Sequence, residues 1–440
     1  MSGGRFDITT GRIRPGTYIN VDANENTGVL KKGVRGRVVI PLIAFGWGKD
    51  RSFVEIKAKK INEHYDELGD YVDNIVPLRE AFKGCSTVIA YISNKGTQAT
   101  ATEENLTVTA KYPGTRGNSI KLSSIANADS TFDVTIYMGT TALQTYSGVS
   151  TIKDLQDAGS GLVTFTGTGA LTAFASLSLA GGATTASTNA DVTNFLDDIE
   201  SVKFNAVSLP FTDSALKTAA ISKIKYLRDD MGYTIQGVLP SANANYEGVI
   251  NVTNGVVLED GTSLQAADCC AFIAGVTAGA SELVSNTFLK YEGAESIIGN
   301  LTNEGAEAAI LNGEMFFSYA DDGSVQIEYD INSLKNFTKT RSQSYRKNKI
   351  IRVIDAIQDA IKASFPPNKF TNDSIGWDTV DGLGKVLLKE YEGEGAITEV
   401  NTDEDFLVDR ERSSGDSMYI NVGIKPVDMA EKLYFTVTTR

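Results

Sequence analysis

Between residues 94 and 185 the chain changes character, and this change constrains the fold more than any other feature. The stretch is dense in Thr, Ser, Gly and Ala and poor in charge. Short alternating segments recur in it: Leu106-Thr-Val-Thr-Ala110, Phe132-Asp-Val-Thr-Ile-Tyr137 and Leu162-Val-Thr-Phe165. Successive strand side chains point to opposite faces, so such segments with turn residues between them predict a small β-sandwich or barrel. The flanking sequence reads differently, so the sandwich is expected as an inserted domain.

Residues 1–32 are rich in Gly, Asn and Thr and read as an extended arm with one short strand at Thr17–Val21. Arg37–Phe45 is a β-rich apolar run ending at Gly46-Trp47-Gly48. Residues 58–83 space Ile61, Tyr65, Leu68, Val72 and Ile75 three to four apart, which predicts a helix. Thr87–Ile92 predicts a strand. From about residue 186 helices and strands alternate: helix at Asp191–Ile199, strand at Ala206–Leu209, helix at Ala215–Met231, strand at Tyr233–Leu239. Alternation of this kind implies an α/β layer with crossover helices. The pattern continues through Gly255–Leu258 and an Ala-rich helix at Ala266–Ala280. Asp322-Gly323 is a hairpin signal before an alternating strand at Ser324–Ile331. Residues 341–365 predict a helix with Ile350, Ile354, Ile357, Ile361 and Phe365 on one stripe, stopped by Pro366-Pro367. A last alternating strand, Lys432–Thr439, closes the chain.

With 440 residues, and roughly 150 residues per domain, about three folded domains are expected. The reading is an α+β multidomain chain. It comprises an arm at 1–32, an N-terminal domain at 33–93, the β-sandwich at 94–185, a central α/β domain at 186–345 and an α/β C-terminal domain at 346–440. Extended arms stand at both ends.

Composition excludes several functions. Lys plus Arg is 41 against 55 Asp plus Glu, a net charge of −14, which argues against a general nucleic-acid binder. Cys85, Cys269 and Cys270 are too sparse for a disulfide framework and read as small buried hydrophobes. Met1–Thr10 has no apolar leader segment, and no apolar run approaches the ~20 residues of a membrane span. A protein made and kept in a cytoplasm is expected.

Catalytic patterns are equally thin. The one histidine, His64, sits among Lys60, Asn62, Glu63, Asp66 and Glu67 and reads as a polar helix-face residue. Asp321-Asp322 and Asp403-Glu404-Asp405 lack calcium-loop spacing and read as turns. Gly382-Leu-Gly-Lys385 lacks the spacing and hydroxyl of a phosphate loop. No enzyme, metal site or cofactor is expected.

Two features remain. Arg341, Arg346, Lys347, Lys349 and Arg352 form a basic cluster, either a solvated helix start or a docking face for an acidic protein surface. The terminal strands, Thr17–Val21 and Leu433–Thr438, either pair within their own domain or add to a neighbouring subunit's sheet.

Several stretches resemble the contractile phage tail sheath family, including prophage and bacteriocin sheaths. Arg14-Pro-Gly-Thr-Tyr-Ile-Asn20 resembles the family's arm. Arg35-Gly-Arg-Val-Val-Ile-Pro41, ending in Gly46-Trp-Gly48, resembles its first core strand. Gly114-Thr-Arg-Gly-Asn-Ser-Ile120 and Leu179-Ala-Gly-Gly182 resemble a sandwich turn and the entry to the central domain. Ala271–Ala280, Ser324–Leu334, Arg352-Val-Ile-Asp355 and Glu431–Val437 follow in family order.

The resemblance implies a structural subunit that polymerises as stacked hexameric rings around an inner tail tube. Contraction of the polymer would drive that tube through a bacterial envelope. It implies a subtilisin-like, non-catalytic central domain, an outward sandwich and a tube-facing C-terminal domain. Strand exchange would run through Thr17, Tyr18, Ile19, Asn20 and Val21 and through Leu433, Tyr434, Phe435, Thr436 and Val437. Arg346, Lys347, Lys349 and Arg352 become tube-contact candidates. The implied partners are further copies of the chain, the inner tube protein, and baseplate and tail terminator proteins, with assembly in a host bacterial cytoplasm. The alternative is a secreted or surface-layer adhesin carrying the sandwich.

Overall fold

The structure, a computed structural model, describes residues 35–439. Its centre is a six-stranded sheet built from two distant parts of the chain. β1 (Arg37–Ile43), β2 (Ser52–Lys57) and β3 (Thr87–Ser93) come from the first part. β4 (Ala206–Ser208), β5 (Gln236–Pro240) and β6 (Val249–Val252) come from the second. The strand order is β6-β5-β4-β1-β3-β2. Only the β2–β3 pair is antiparallel.

Parallel sheets are buried on both faces because their crossovers lay helices on each. The strand residues show it. Val38, Ile40, Val88 and Ala90 face one core together with α1 (Val76–Phe82). Val39, Ile89 and Tyr91 face the other, against α2 (Asn189–Asp198) and α3 (Ser214–Lys225). Val38 is in register with both Val88 and Ala206. The expected separate N-terminal domain at 33–93 is therefore corrected: its strands belong to the same sheet as the central domain, and the sandwich is inserted between β3 and β4.

The helix expected over 58–83 is also corrected. It is broken into turns at Ala58–Lys60, Tyr65–Leu68 and Val72–Asn74 before α1. Gly69 ends the Tyr65–Leu68 turn as a left-handed cap with φ 64°, and a Cβ there would sit 2.6 Å from the ring of Trp47, so both the backbone angle and the space favour glycine.

Beside α1 runs α4 (Ala266–Gly279), buried at every position from Cys269 to Ala278. A Cβ on Gly275 would lie 2.2 Å from the carbonyl of Ala81, and one on Gly279 would lie 1.7 Å from that of Gly84. The Ala/Gly composition lets the two helix backbones nearly touch. All three cysteines are free and buried; burial pushes the Cys85 thiol up to about 12 and raises the Cys269 and Cys270 thiols as well.

The inserted segment folds as two facing sheets. One orders Val163–Thr166, Leu106–Ala110 and Thr100–Glu103; the other orders Phe174–Ser178, Ile120–Ala126, Phe132–Met138 and Thr141–Val149. Leu106, Val108, Leu122, Val134, Ile136 and Phe165 fill the space between them. Trp47, wholly buried, joins this core from the β1–β2 connection and donates from Nε1 to the carbonyl of Asp66 at 2.8 Å. Across the junction a Cβ on Gly114 would lie 2.1 Å from the carbonyl of Gly46. Asn118 and Gly182 exchange two hydrogen bonds of 2.8 Å. The Gly-Trp-Gly, Gly-Asn and Gly-Gly motifs thus all lie where the sandwich attaches.

The C-terminal unit packs α5 (Asn348–Ser364) on α6 (Ser374–Gly393) around Val353, Ile357, Val380, Leu387, Leu388 and Phe406. It ends in a two-stranded sheet, β7 (Phe406–Val408) and β8 (Ile420–Val422). The helix expected from 341 begins at Asn348, after a 3-10 turn at Gln343–Arg346. The strand expected over Ser324–Ile331 is confined to Val325–Ile327. Its remainder is a buried polar knot. Asp330 accepts from Asn348 Nδ2, the Asn286 amide and Arg352 Nη2 at 2.8–2.9 Å. Asn332 donates to the carbonyl of Tyr345, and Ser333 to that of Tyr246.

Two consequences for stability can be measured by denaturant unfolding. Gly275→Leu forces a side chain into the Ala81 backbone and is expected to cost about 3 kcal/mol or more. Arg352→Met strands the wholly buried Asp330 carboxylate and is expected to cost about 3–5 kcal/mol. An unchanged midpoint in either variant contradicts the packing described.

Candidate inter-subunit interface

The terminal segment Lys432–Thr439 has the composition of a strand but pairs as one with none of the described residues. Leu433, Tyr434, Phe435 and Val437 are 68%, 90%, 83% and 88% exposed, and Thr436 is exposed beside them. In an extended backbone Leu433, Phe435 and Val437 share one face, with Tyr434 and Thr436 on the other. Buried apolar side chains of this size contribute about 1.5–3 kcal/mol each, all of it forgone here. Thr17–Val21, the other expected exchange strand, lies outside the described residues.

The chain just before this tail is held firmly. Val427 donates its amide to Ala396, and Lys425 accepts from the Thr398 amide, both at 2.9 Å. The Glu431 carboxylate then receives three donors: Ser285 Oγ at 2.8 Å, Thr287 Oγ1 at 2.7 Å and Lys347 Nζ at 2.6 Å. Lys347 also pairs with Asp428 at 2.8 Å. Burial would lower the Lys347 ammonium, but its hydrogen bonds to Asp428 and Glu431 hold it above the usual lysine range.

These contacts correct the expectation of an exposed basic face. Arg352 is 0% exposed, Lys349 2% and Arg346 8%. Arg352 is ion-paired to Asp330 and donates to the carbonyl of Val284. Lys349 donates to the carbonyl of Val427, and burial lowers its ammonium below the usual range. Arg346 donates to the carbonyls of Leu334 and Leu311. Lys347 alone of the four keeps partial exposure, and Arg341 lies on the surface against Glu247 at 2.9 Å. The cluster reads as surface because its partners are remote in sequence. Asp428 and Glu431, three apart just before the terminal strand, were the available signal.

A second feature complements the tail. The β7–β8 sheet has only two strands, and isolated two-stranded sheets are marginal in water. All three residues of β8 are exposed, with Ile420 and Val422 on its surface and Leu407 opposite. Among the described residues β8 pairs with β7 alone.

Chemistry of other kinds finds little to build on. His64 is half-buried, its Nδ1 3.6 Å from Glu67. Among the described residues no group of His, Cys, Asp and Glu side chains is placed to hold a metal, and no helix is long and apolar enough to cross a membrane. The groove between the sandwich and the Tyr65–Asn74 turns is lined by Tyr71, Asn74, Arg116 and Met138, and its charged pair, Arg116 with Asp70, is mutually satisfied at 2.8 Å.

Comparison with known proteins places these observations. Residues 94–210 match the phage tail sheath protein beta-sandwich domain, residues 185–333 the central domain and residues 340–440 the C-terminal domain. The crystal structure of a sheath tail protein from Desulfitobacterium hafniense is 36% identical, with a TM-score of 0.83 over 96% of this chain and 99% of that one. Protein XkdK of the phage-like element PBSX in Bacillus subtilis (strain 168) is 34% identical over 99% of both chains. The anti-feeding prophage helical sheath in its contracted state shares the fold alone: 15% identity and a TM-score of 0.56 over 97% of this chain and 99% of that one. The chain belongs to the phage tail sheath protein family, the structural sheath of contractile tail systems.

Proposed function

We propose that the chain polymerises as stacked hexameric rings around an inner tube, and that its subunits are tied together by exchange of terminal strands. The observation that carries the reading is the exposed Leu433–Val437 tail, which alternates like a strand yet pairs with no sheet among the described residues. The β7–β8 sheet is the acceptor that a neighbour offers. Strand addition satisfies backbone groups on an open edge and buries the alternate side chains of the incoming segment. Thr17–Val21 is the counterpart at the other end.

Contraction is then a change in how rigid subunits pack, with the exchanged strands keeping neighbours linked. The likeness of fold to a contracted helical sheath supports this reading. The central sheet is read as a non-catalytic layer of the subtilisin-like kind, with the sandwich outward and the C-terminal unit toward the tube. Baseplate and tail terminator proteins would cap the polymer, which assembles in the host cytoplasm. The adhesin alternative draws no support from the comparisons.

Two truncations test the reading. The chain lacking residues 432–440 is expected to melt as a folded monomer close to the full chain, yet to give no striated tubes in negative-stain electron microscopy. Deleting residues 1–21 is expected to do the same. Tubes formed by either truncated chain contradict exchange of that strand.

A further inference from the structure

The tail leaves the subunit at a built site. Glu431 is the last residue before the exposed segment, and its side chain is 11% exposed. Three donors from two separate stretches converge on its carboxylate: Ser285 and Thr287 from one, Lys347 from the other. Those stretches are themselves fixed by the buried knot. Thr287 Oγ1 accepts from the Asp330 amide at 3.1 Å, Asn348 donates its amide to the Asp330 carbonyl, and Ile331 bridges to Lys347. The donors are therefore held by a rigid base, while the next residue is free.

We infer that Glu431 is a positioning residue for assembly: Lys347, Ser285 and Thr287 grip its carboxylate and fix the point and direction at which the C-terminal arm departs. The inference rests on the strand-exchange reading. Beyond the grip remain residues 432–440, nine in all, which span at most about 30 Å when extended. A fixed root confines the arm's tip to the region a neighbouring acceptor sheet must occupy; a loose root spreads the same arm over a wider volume and lowers its effective concentration at that sheet. Lys347 thus acts within the subunit, on the arm, rather than on a tube surface.

The test uses the full-length chain with Lys347→Glu and Glu431→Lys, and Lys347→Arg as the conservative change. In the monomer, Lys347→Glu and Glu431→Lys are each expected to speed amide hydrogen exchange of residues 428–432 at least tenfold, while Lys347→Arg, which keeps the charge facing Asp428 and Glu431, leaves it within twofold. Lys347→Glu and Glu431→Lys are each expected to raise the protein concentration needed for tubes in negative stain at least tenfold, and Lys347→Arg to leave it unchanged. Should Lys347→Glu fail to fold, Ser285→Ala with Thr287→Val removes two donors without altering charge and is expected to shift both readouts in the same direction. Faster exchange with tube formation at the wild-type concentration overturns the inference and leaves strand exchange standing. Tubes from the chain lacking 432–440 overturn strand exchange itself, and the inference with it.

Discussion

The ion pair between Arg352 and Asp330, with both side chains at 0% exposure and 2.8 Å apart, is the constraint on which the rest of the molecule depends. An unpaired charge in such a place is strongly unfavourable, so each partner dictates where the other's segment must lie. Arg352 belongs to α5 of the C-terminal unit, and Asp330 follows the Val325–Ile327 strand of the central part. A second charged contact repeats the linkage. Arg228, after α3, forms two hydrogen bonds of 2.8 and 3.0 Å with Asp355 on α5. The two units are therefore fixed to each other by directional contacts rather than by apolar packing alone. Such a joint suits the rigid-body repacking proposed above.

The same knot sets the edge of the molecule. Asp330 orients Thr287 and Asn348, which places Lys347 and the Glu431 root. Rigid interior and free terminus meet within one residue. Four large apolar side chains stand in water beyond that point. In a monomer this is an aggregation hazard. In a polymer it is a reservoir of interface, since the contacts the tail lacks in its own subunit can be supplied by another copy.

The sequence spoke clearly where the signal was local. The short segments of the sandwich alternate at a period of two, and Leu106–Ala110 shows that alternation as buried and half-buried positions. The Ala-rich helix expected at 266–280 is there as α4, and its Gly275 and Gly279 lie against the backbones of Ala81 and Gly84. What could not be read was non-local. Nothing near Val38 says that Ala206 is its sheet neighbour, so one sheet reads in the sequence as two domains. Ile61 to Ile75 keep helical spacing, yet the left-handed cap at Gly69 ends the run there. Arg346, Lys349 and Arg352 looked like a surface because their acceptors lie far along the chain. The alternation of Leu433–Val437 is legible because it is local; the residues that hold Glu431 at the root of that segment are not, because Ser285, Thr287 and Lys347 lie far along the chain.

A helical reconstruction of the assembled polymer by cryo-electron microscopy tests the central claim most directly. The account predicts that Leu433–Val437 of each subunit crosses to another and lies as an added strand against Ile420–Val422. A tail folded back onto its own subunit, or disordered in the assembled polymer, would contradict it.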